Sequence, residues 1–132
     1  MIQEYMQILR NAGVKLTRPR RLVLEVLCGS LDPLSIKEIH KQTGKKADLA
    51  SIYRTVRLFT ELGITREVPL GEGYQRYELV ERGKHRHYVL CVKCGTIRHI
   101  DICILEQIEK LTNFKITSHS MEFRGICSKC SP

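Results

Sequence analysis

No apolar run in this 132-residue chain is long enough to cross a bilayer, and its opening residues lack the layout of a secretory leader. These absences set the expectation of a cytoplasmic protein with no membrane partner, in a reducing compartment where disulfides are disfavoured. Internal repeats and low-complexity tracts are also missing, which leaves one domain or two small ones. The hydrophobic fraction of 42% is ordinary for a soluble globular protein. Acidic residues are in short supply: 14 Asp and Glu stand against 22 Lys and Arg, a formal net charge of +8.

The surplus is not evenly useful. Residues 1–80 carry 13 basic and 9 acidic side chains, and residues 81–132 carry 9 and 5. Four cysteines near the second half, if they held a metal as thiolates, would cut its surplus to about +2. Basic character then concentrates in the first part, where Arg10, Lys15, Arg18, Arg20 and Arg21 stand with no acid between them. A polyanion is the natural partner of such a segment, and a solvated charged face is the plainer alternative.

The six cysteines include two Cys-x-x-Cys pairs, Cys91 with Cys94 and Cys127 with Cys130. Each pair offers two adjacent sulfurs from one tight turn, and two such turns close a tetrahedral four-thiolate site with zinc–sulfur bonds of about 2.3 Å. The 32 residues between the pairs exceed the spacing of a compact zinc ribbon, so a folded domain must bring them together. Two disulfides or four buried thiols would be the alternatives.

Hydrophobic periodicity outlines the rest. Ile2, Met6 and Leu9 mark a helix ended by Gly13. Thr17 and Pro19 open a second, presenting Leu22, Val23, Val26 and Leu27. Ser35-Ile36-Lys37-Glu38 reads as a capping box opening a third helix that Gly44 closes, and Asp48 opens a fourth running to about Leu62. On that fourth helix Leu49, Ile52, Val56, Phe59 and Gly63 share a packing stripe, while Ala50, Arg54, Arg57 and Glu61 lie opposite with Tyr53 on the flank. The third and fourth helices form a helix-turn-helix whose second member could reach base edges in a major groove. Ile64–Pro69 and Tyr74–Val80 around Gly71-Glu72-Gly73 make a hairpin wing. The expected fold class is α+β: a winged-helix DNA-binding domain over residues 1–80, a hinge at 81–84, and a small α/β dimerisation and metal-binding domain over 85–132. Within the latter, strands are expected at 86–91 and 96–100. A helix over 101–112, with Ile104, Leu105, Ile108 and Leu111 inward, and a strand over 114–124 would follow.

A second cluster of metal-binding side chains is possible. Alternation along a strand puts His85 and His87 on one face, Cys103 and Glu106 share the outer side of the expected helix, and His119 sits in the expected last strand. Three imidazoles and a carboxylate would suit zinc, and also iron(II) or manganese(II). Scattered surface residues are the alternative.

The order of these features resembles the ferric uptake regulator family along essentially the whole chain. The matching segments are Leu49-Ala50-Ser51-Ile52-Tyr53-Arg54-Thr55-Val56, Cys91-Val92-Lys93-Cys94-Gly95, and Thr117-Ser118-His119 through Gly125-Ile126-Cys127. The resemblance implies a dimeric, metal-activated transcriptional repressor of metal uptake or stress genes, reading a palindromic operator on double-stranded DNA. It implies base contacts from Tyr53 and Arg54 and a minor-groove contact from Lys15; Arg18, Arg20 and Arg57 are added as neighbours on the basic face. Structural zinc would sit on Cys91, Cys94, Cys127 and Cys130, and the regulatory metal on His85, His87, Glu106 and His119. The histidine-rich version of that second site resembles the zinc uptake regulators, which favours zinc as effector, with iron or manganese the alternatives. The chain departs from the family at a further hinge site, where Pro33, Glu78, Arg86 and Tyr88 stand and only Glu78 could bind metal. His99 and Cys103 are spare ligands read as ordinary structure. The rival from another class is a zinc hydrolase using His85, His87 and His119 with Glu106 as base.

Overall fold

The computed structural model describes residues 2–81 and 85–132. The chain divides into two compact units, residues 1–83 and 84–132. Of the expected hinge only Glu81 is described; Arg82, Gly83 and Lys84 lie outside the described residues.

The first unit runs α1 (Ile2–Asn11), α2 (Arg18–Cys28), β1 (Leu34–Ser35), α3 (Ile36–Gln42), α4 (Leu49–Glu61), β2 (Thr65–Val68) and β3 (Arg76–Leu79). Its core joins Tyr5 and Leu9 of α1, Val23, Leu24 and Leu27 of α2, and Ile39 of α3 to Ile52, Val56 and Phe59 of α4. Fully burying one such aliphatic or aromatic side chain contributes about 1.5–3 kcal/mol, so α4, central to this set, anchors the unit. The packing stripe read along α4 is buried at Ile52, Val56 and Phe59, while Leu49 in the first turn is 44% exposed and Gly63, beyond the helix end, is exposed as well. Thr55 takes part in the buried face instead. The helix stops where Gly63 takes φ +74, letting the Ile64 and Gly63 amides donate back to the carbonyls of Phe59 and Thr60 at 2.8 and 3.1 Å. This left-handed cap turns the chain straight into β2.

The wing is a three-stranded antiparallel sheet in the order β1-β3-β2, with Ser35 opposite Arg76 and Val68 opposite Arg76 on the other side. Arg76 is the buried clasp of this sheet. Its guanidinium lies 2.7 Å from Glu72 and 2.8 Å from Glu38, and donates to the Pro33 carbonyl at 3.0 Å. It thereby ties the hairpin to the start of α3. Only half of the capping box forms there: the Ser35 hydroxyl accepts from the Glu38 amide at 3.2 Å, while the Glu38 carboxylate turns to Ser35 Oγ and Arg76. The Tyr5 hydroxyl donates to the Val80 carbonyl at 3.0 Å and fixes α1 against the end of the wing.

The second unit holds β4 (His87–Cys91), β5 (Ile97–Ile100), α5 (Leu105–Thr112) and β6 (Glu122–Gly125). The sheet order is β5-β4-β6, with β4 antiparallel to β5 and parallel to β6. Three expectations change here. The helix begins at Leu105, not Asp101, so Cys103 lies in an irregular stretch ahead of it. The last strand spans four residues, not 114–124, and leaves His119 in the loop before it. Finally, no residue of α5 is buried: Leu111 of its apolar stripe is 79% exposed and the following Phe114 72%. Among the described residues no helix is long and apolar enough to cross a membrane.

Candidate metal centres and nucleic-acid face

The parallel pairing of β4 with β6 builds the first centre. It sets Cys91 opposite Gly125, so the chain leaving β6 delivers Cys127 and Cys130 beside the turn that carries Cys94. The donor sulfurs of Cys91, Cys94, Cys127 and Cys130 all lie within 4.8 Å of one another. Cys94 Sγ is 3.7 Å from Cys127 Sγ, which is no disulfide, and all six cysteines are free thiols. Sulfurs at the corners of a tetrahedron around zinc would be separated by about 3.8 Å, given bonds of about 2.3 Å. The spacing therefore fits an ion.

The local electrostatics fit as well. The amides of Cys127 and Cys94 donate to Cys91 Sγ at 3.3 and 3.5 Å, and these hydrogen bonds bring the Cys91 thiol down to about 6. The Thr96 hydroxyl, 3.1 Å from Cys94 Sγ, lowers that thiol too. Cys130 is pushed up to about 12 by its hydrogen bonds with Cys127 and then Cys94. Clustered sulfurs cannot all ionise beside one another; a divalent cation is what would let them.

The second cluster gathers at the opposite end of β4. His87 opens the strand and is buried, His85 lies two residues earlier, and His119 arrives from the loop before β6. The three ring centroids are 4.9–5.2 Å apart. The Nε2 atoms of His87 and His119 are separated by 3.4 Å, matching the about 3.4 Å tetrahedral edge expected for zinc–nitrogen bonds of about 2.0–2.1 Å. Burial lowers the pKa of His87, with the neighbouring His85 and His119 adding to the effect, and so favours the neutral imidazole that a metal needs.

The fourth member of this group is Cys103, not the expected Glu106. Cys103 Sγ stands 3.4 Å from His119 Nε2. Glu106 sits exposed in the first turn of α5 and belongs to neither metal-binding group. Reading the helix from residue 101 put the two on one side; because it starts at 105, Cys103 is free of the helix and turns to the histidines. His99 lies on β5 opposite Tyr88, its Nε2 3.7 Å from an Asp101 carboxylate oxygen, and is in neither group. The residues at the family's hinge-site places are engaged otherwise. The Pro33 carbonyl accepts from Arg76, Glu78 pairs with Arg66 across the hairpin, and Tyr88 is wholly buried.

In the first unit α3, residues 43–48 and α4 form a helix-turn-helix. Tyr53, Arg54 and Arg57 lie exposed on α4, Tyr53 at 56%. The Arg54 guanidinium donates to Ser51 Oγ at 3.3 Å, and Arg57 is 3.5 Å from Glu61, both pairs at the surface. Lys15, ahead of α2, and Arg18, its first residue, are exposed, and the Arg20 guanidinium donates to the Lys15 carbonyl at 2.7 Å. That bond braces the segment while leaving the Lys15 side chain outward.

Comparisons with known proteins agree with this architecture. The ferric uptake regulator family matches residues 11–124. The ferric uptake regulation protein of Bacillus subtilis is 32% identical over 133 residues, covering 93% of this chain and 89% of that one. The peroxide-responsive repressor PerR of Staphylococcus epidermidis is 31% identical over 137 residues, covering 98% and 89%. The crystal structure of the Vibrio cholerae ferric uptake regulator superposes with a TM-score of 0.77 at 30% identity, covering 92% of this chain and 98% of that one. The chain belongs to the ferric uptake regulator family, whose members are DNA-binding, metal-binding transcriptional regulators and not enzymes.

Proposed function

We propose that this family member is a zinc-responsive repressor that governs metal uptake or homeostasis genes from a palindromic operator in the cytoplasm. The observation that carries the reading is the cluster of His85, His87 and His119, in which the His87 and His119 Nε2 atoms lie 3.4 Å apart, a spacing that suits a tetrahedral ion. An imidazole-rich set suits zinc, whereas manganese and magnesium prefer oxygen donors. Because the family is one of regulators, the hydrolase alternative falls away.

In this reading Cys91, Cys94, Cys127 and Cys130 hold a structural zinc. His85, His87 and His119 take the regulatory ion, without Glu106. Bound metal would supply a cross-link between the start of β4 and the loop ahead of β6. His85 lies in sequence next to the expected hinge at 81–84, so an ion on its ring would tie that end of residues 85–132 down, and through this point metal binding would be linked to DNA binding. A coupling of about 1–3 kcal/mol between metal and DNA would change operator affinity about 5- to 150-fold. The exposed stripe of α5 would be covered by a second copy, since the family's regulators are dimeric. Two-fold symmetry then presents Tyr53, Arg54 and Arg57 to successive major grooves, with Lys15, Arg18 and Arg20 against the backbone or minor groove.

Operator binding measured with metal-stripped protein refilled at buffered free zinc, iron(II) or manganese(II) tests the reading. Zinc should restore binding at the lowest free concentration, and His87→Ala should abolish the gain while leaving the dimer intact. A full response to iron or manganese at lower concentration than zinc would instead make the effector one of those ions. An undiminished zinc response in His87→Ala would place the sensor elsewhere.

A further inference from the structure

Three imidazoles leave a tetrahedral ion one ligand short, and the nearest remaining donor is sulfur. Cys103 is half-buried in the stretch before α5, and its Sγ lies 3.4 Å from His119 Nε2 and within 4.8 Å of the donor atoms of His85 and His87. The edge of a zinc tetrahedron between one nitrogen and one sulfur comes to about 3.6 Å from bonds of about 2.05 and 2.3 Å. The sulfur is thus already near a ligand's place, whereas Glu106, which the family resemblance puts in that role, is exposed and outside the group.

We infer that Cys103 is the fourth ligand of the histidine site and the residue that sets its metal preference, turning the site toward zinc and cobalt(II) and away from manganese(II). The inference rests on the histidine group being the regulatory site. Exchanging a carboxylate for a thiolate leaves the formal charge of the ligand set unchanged, so the preference comes from softness and not from charge. Carboxylate oxygen suits manganese, while imidazole and thiolate suit zinc. A sulfur ligand also carries a stoichiometric mark, because a thiol must give up its proton when the ion binds.

The test uses the full chain with zinc retained in the four-cysteine group, verified by metal analysis before and after, and adds cobalt(II) as one further equivalent. The wild type should gain a thiolate-to-cobalt charge-transfer band along with tetrahedral d–d absorption. Cys103→Ser should lose the charge-transfer band and bind cobalt about 100-fold or more weakly, since loss of even an outer-shell partner typically costs 10–100-fold. Glu106→Gln should match the wild type in both. Cys103→Asp, which returns an oxygen donor at the same place, should bind manganese(II) more tightly relative to zinc than the wild type does. If the added cobalt binds without new charge-transfer intensity and Glu106→Gln is the variant that weakens it, Cys103 is no ligand although the histidine site stands. If the wild type takes up no second equivalent, the regulatory-site reading falls with it.

Discussion

Replacing Arg76 by methionine, which keeps much of the length and removes the charge, should destabilise the first unit through the two acids it strands. The Arg76 side chain is 9% exposed, Glu72 15% and Glu38 39%. Breaking a buried ion pair by removing one partner costs about 3–5 kcal/mol. Glu38 is open enough for water to screen it, so the Glu72 pair and the lost bond to the Pro33 carbonyl dominate, and the lower end, about 3 kcal/mol, applies. For a unit of this size 1 kcal/mol moves Tm by about 4–8 °C, so the expected drop is about 12–24 °C. Four of the five tyrosines belong to the first unit and the chain has no tryptophan, so near-ultraviolet circular dichroism during heating follows that unit in the intact protein. Acid supplies a second arm. The Arg76 hydrogen bond holds the Glu72 carboxyl below its ordinary value of 4.5. A carboxylate with a depressed folded pKa stabilises fully above the unfolded value and loses that stabilisation as pH falls through the folded one. The gap between wild type and Arg76→Met should therefore be widest near neutrality and close in acid below the ordinary value. A variant melting within about 3 °C of the wild type at pH 7, equivalent to well under 1 kcal/mol, would refute the clasp.

Three further outcomes follow from the same geometry. Cys94→Ser should bind one metal fewer per chain and lose thermal stability and dimerisation together, because metal binding to such a site is folding free energy; a stable zinc-free dimer of this variant would remove the structural role. Arg54→Ala should weaken operator binding by about 1–3 kcal/mol with relaxed specificity at one base pair, while Lys15→Ala should weaken it evenly and flatten the salt dependence. Both are read by titration against operator and mutated operator at several salt concentrations, and unchanged affinity in Arg54→Ala would mean another face meets the DNA. Phe59→Ala, removing a wholly buried ring from α4, should cost the first unit about 3–5 kcal/mol in urea unfolding and leave metal content at the cysteine group unaltered.

What could be read in advance divides along physical lines. The helices of the first unit were legible because each buries one face against its own unit, so the 3.6-residue period and the polar caps report real packing. The apolar stripe of α5 carries the same period but is exposed in the single chain, and periodicity alone cannot say whether a face meets its own core or another molecule. The two-residue strand β1 was invisible because its pairing with β3 depends on Arg76 reaching the Pro33 carbonyl, a long-range contact with no local mark. Arg76 itself looked like any strand arginine. The cysteine pairs were plain from spacing, and the histidines nearly so. The grouping of Cys103 with the histidines has no such mark: a helix starting at Asp101 puts it on one face with Glu106, whereas a start at Leu105 leaves it in the irregular stretch before. Boundaries are where propensity is weakest, since the chain there answers to what the loop must reach.

One strand serves both clusters. His87 and Cys91 stand at the two ends of β4, four residues apart, which at about 3.3 Å per residue fixes the clusters about 13 Å from each other. The other halves, His119 and Cys127, flank β6, which pairs with β4 in parallel across a long crossover. Neither cluster can close until that crossover has been made, and whichever ion closes first has already met the loop-closure entropy of the second. On the proposed reading the thiolate-bound ion, held by four sulfurs, is that first tenant. Responsiveness then becomes a property acquired at maturation: a chain that has not received its founding ion has no assembled receiver for the fluctuating one, and its failure to repress reads the same as a shortage.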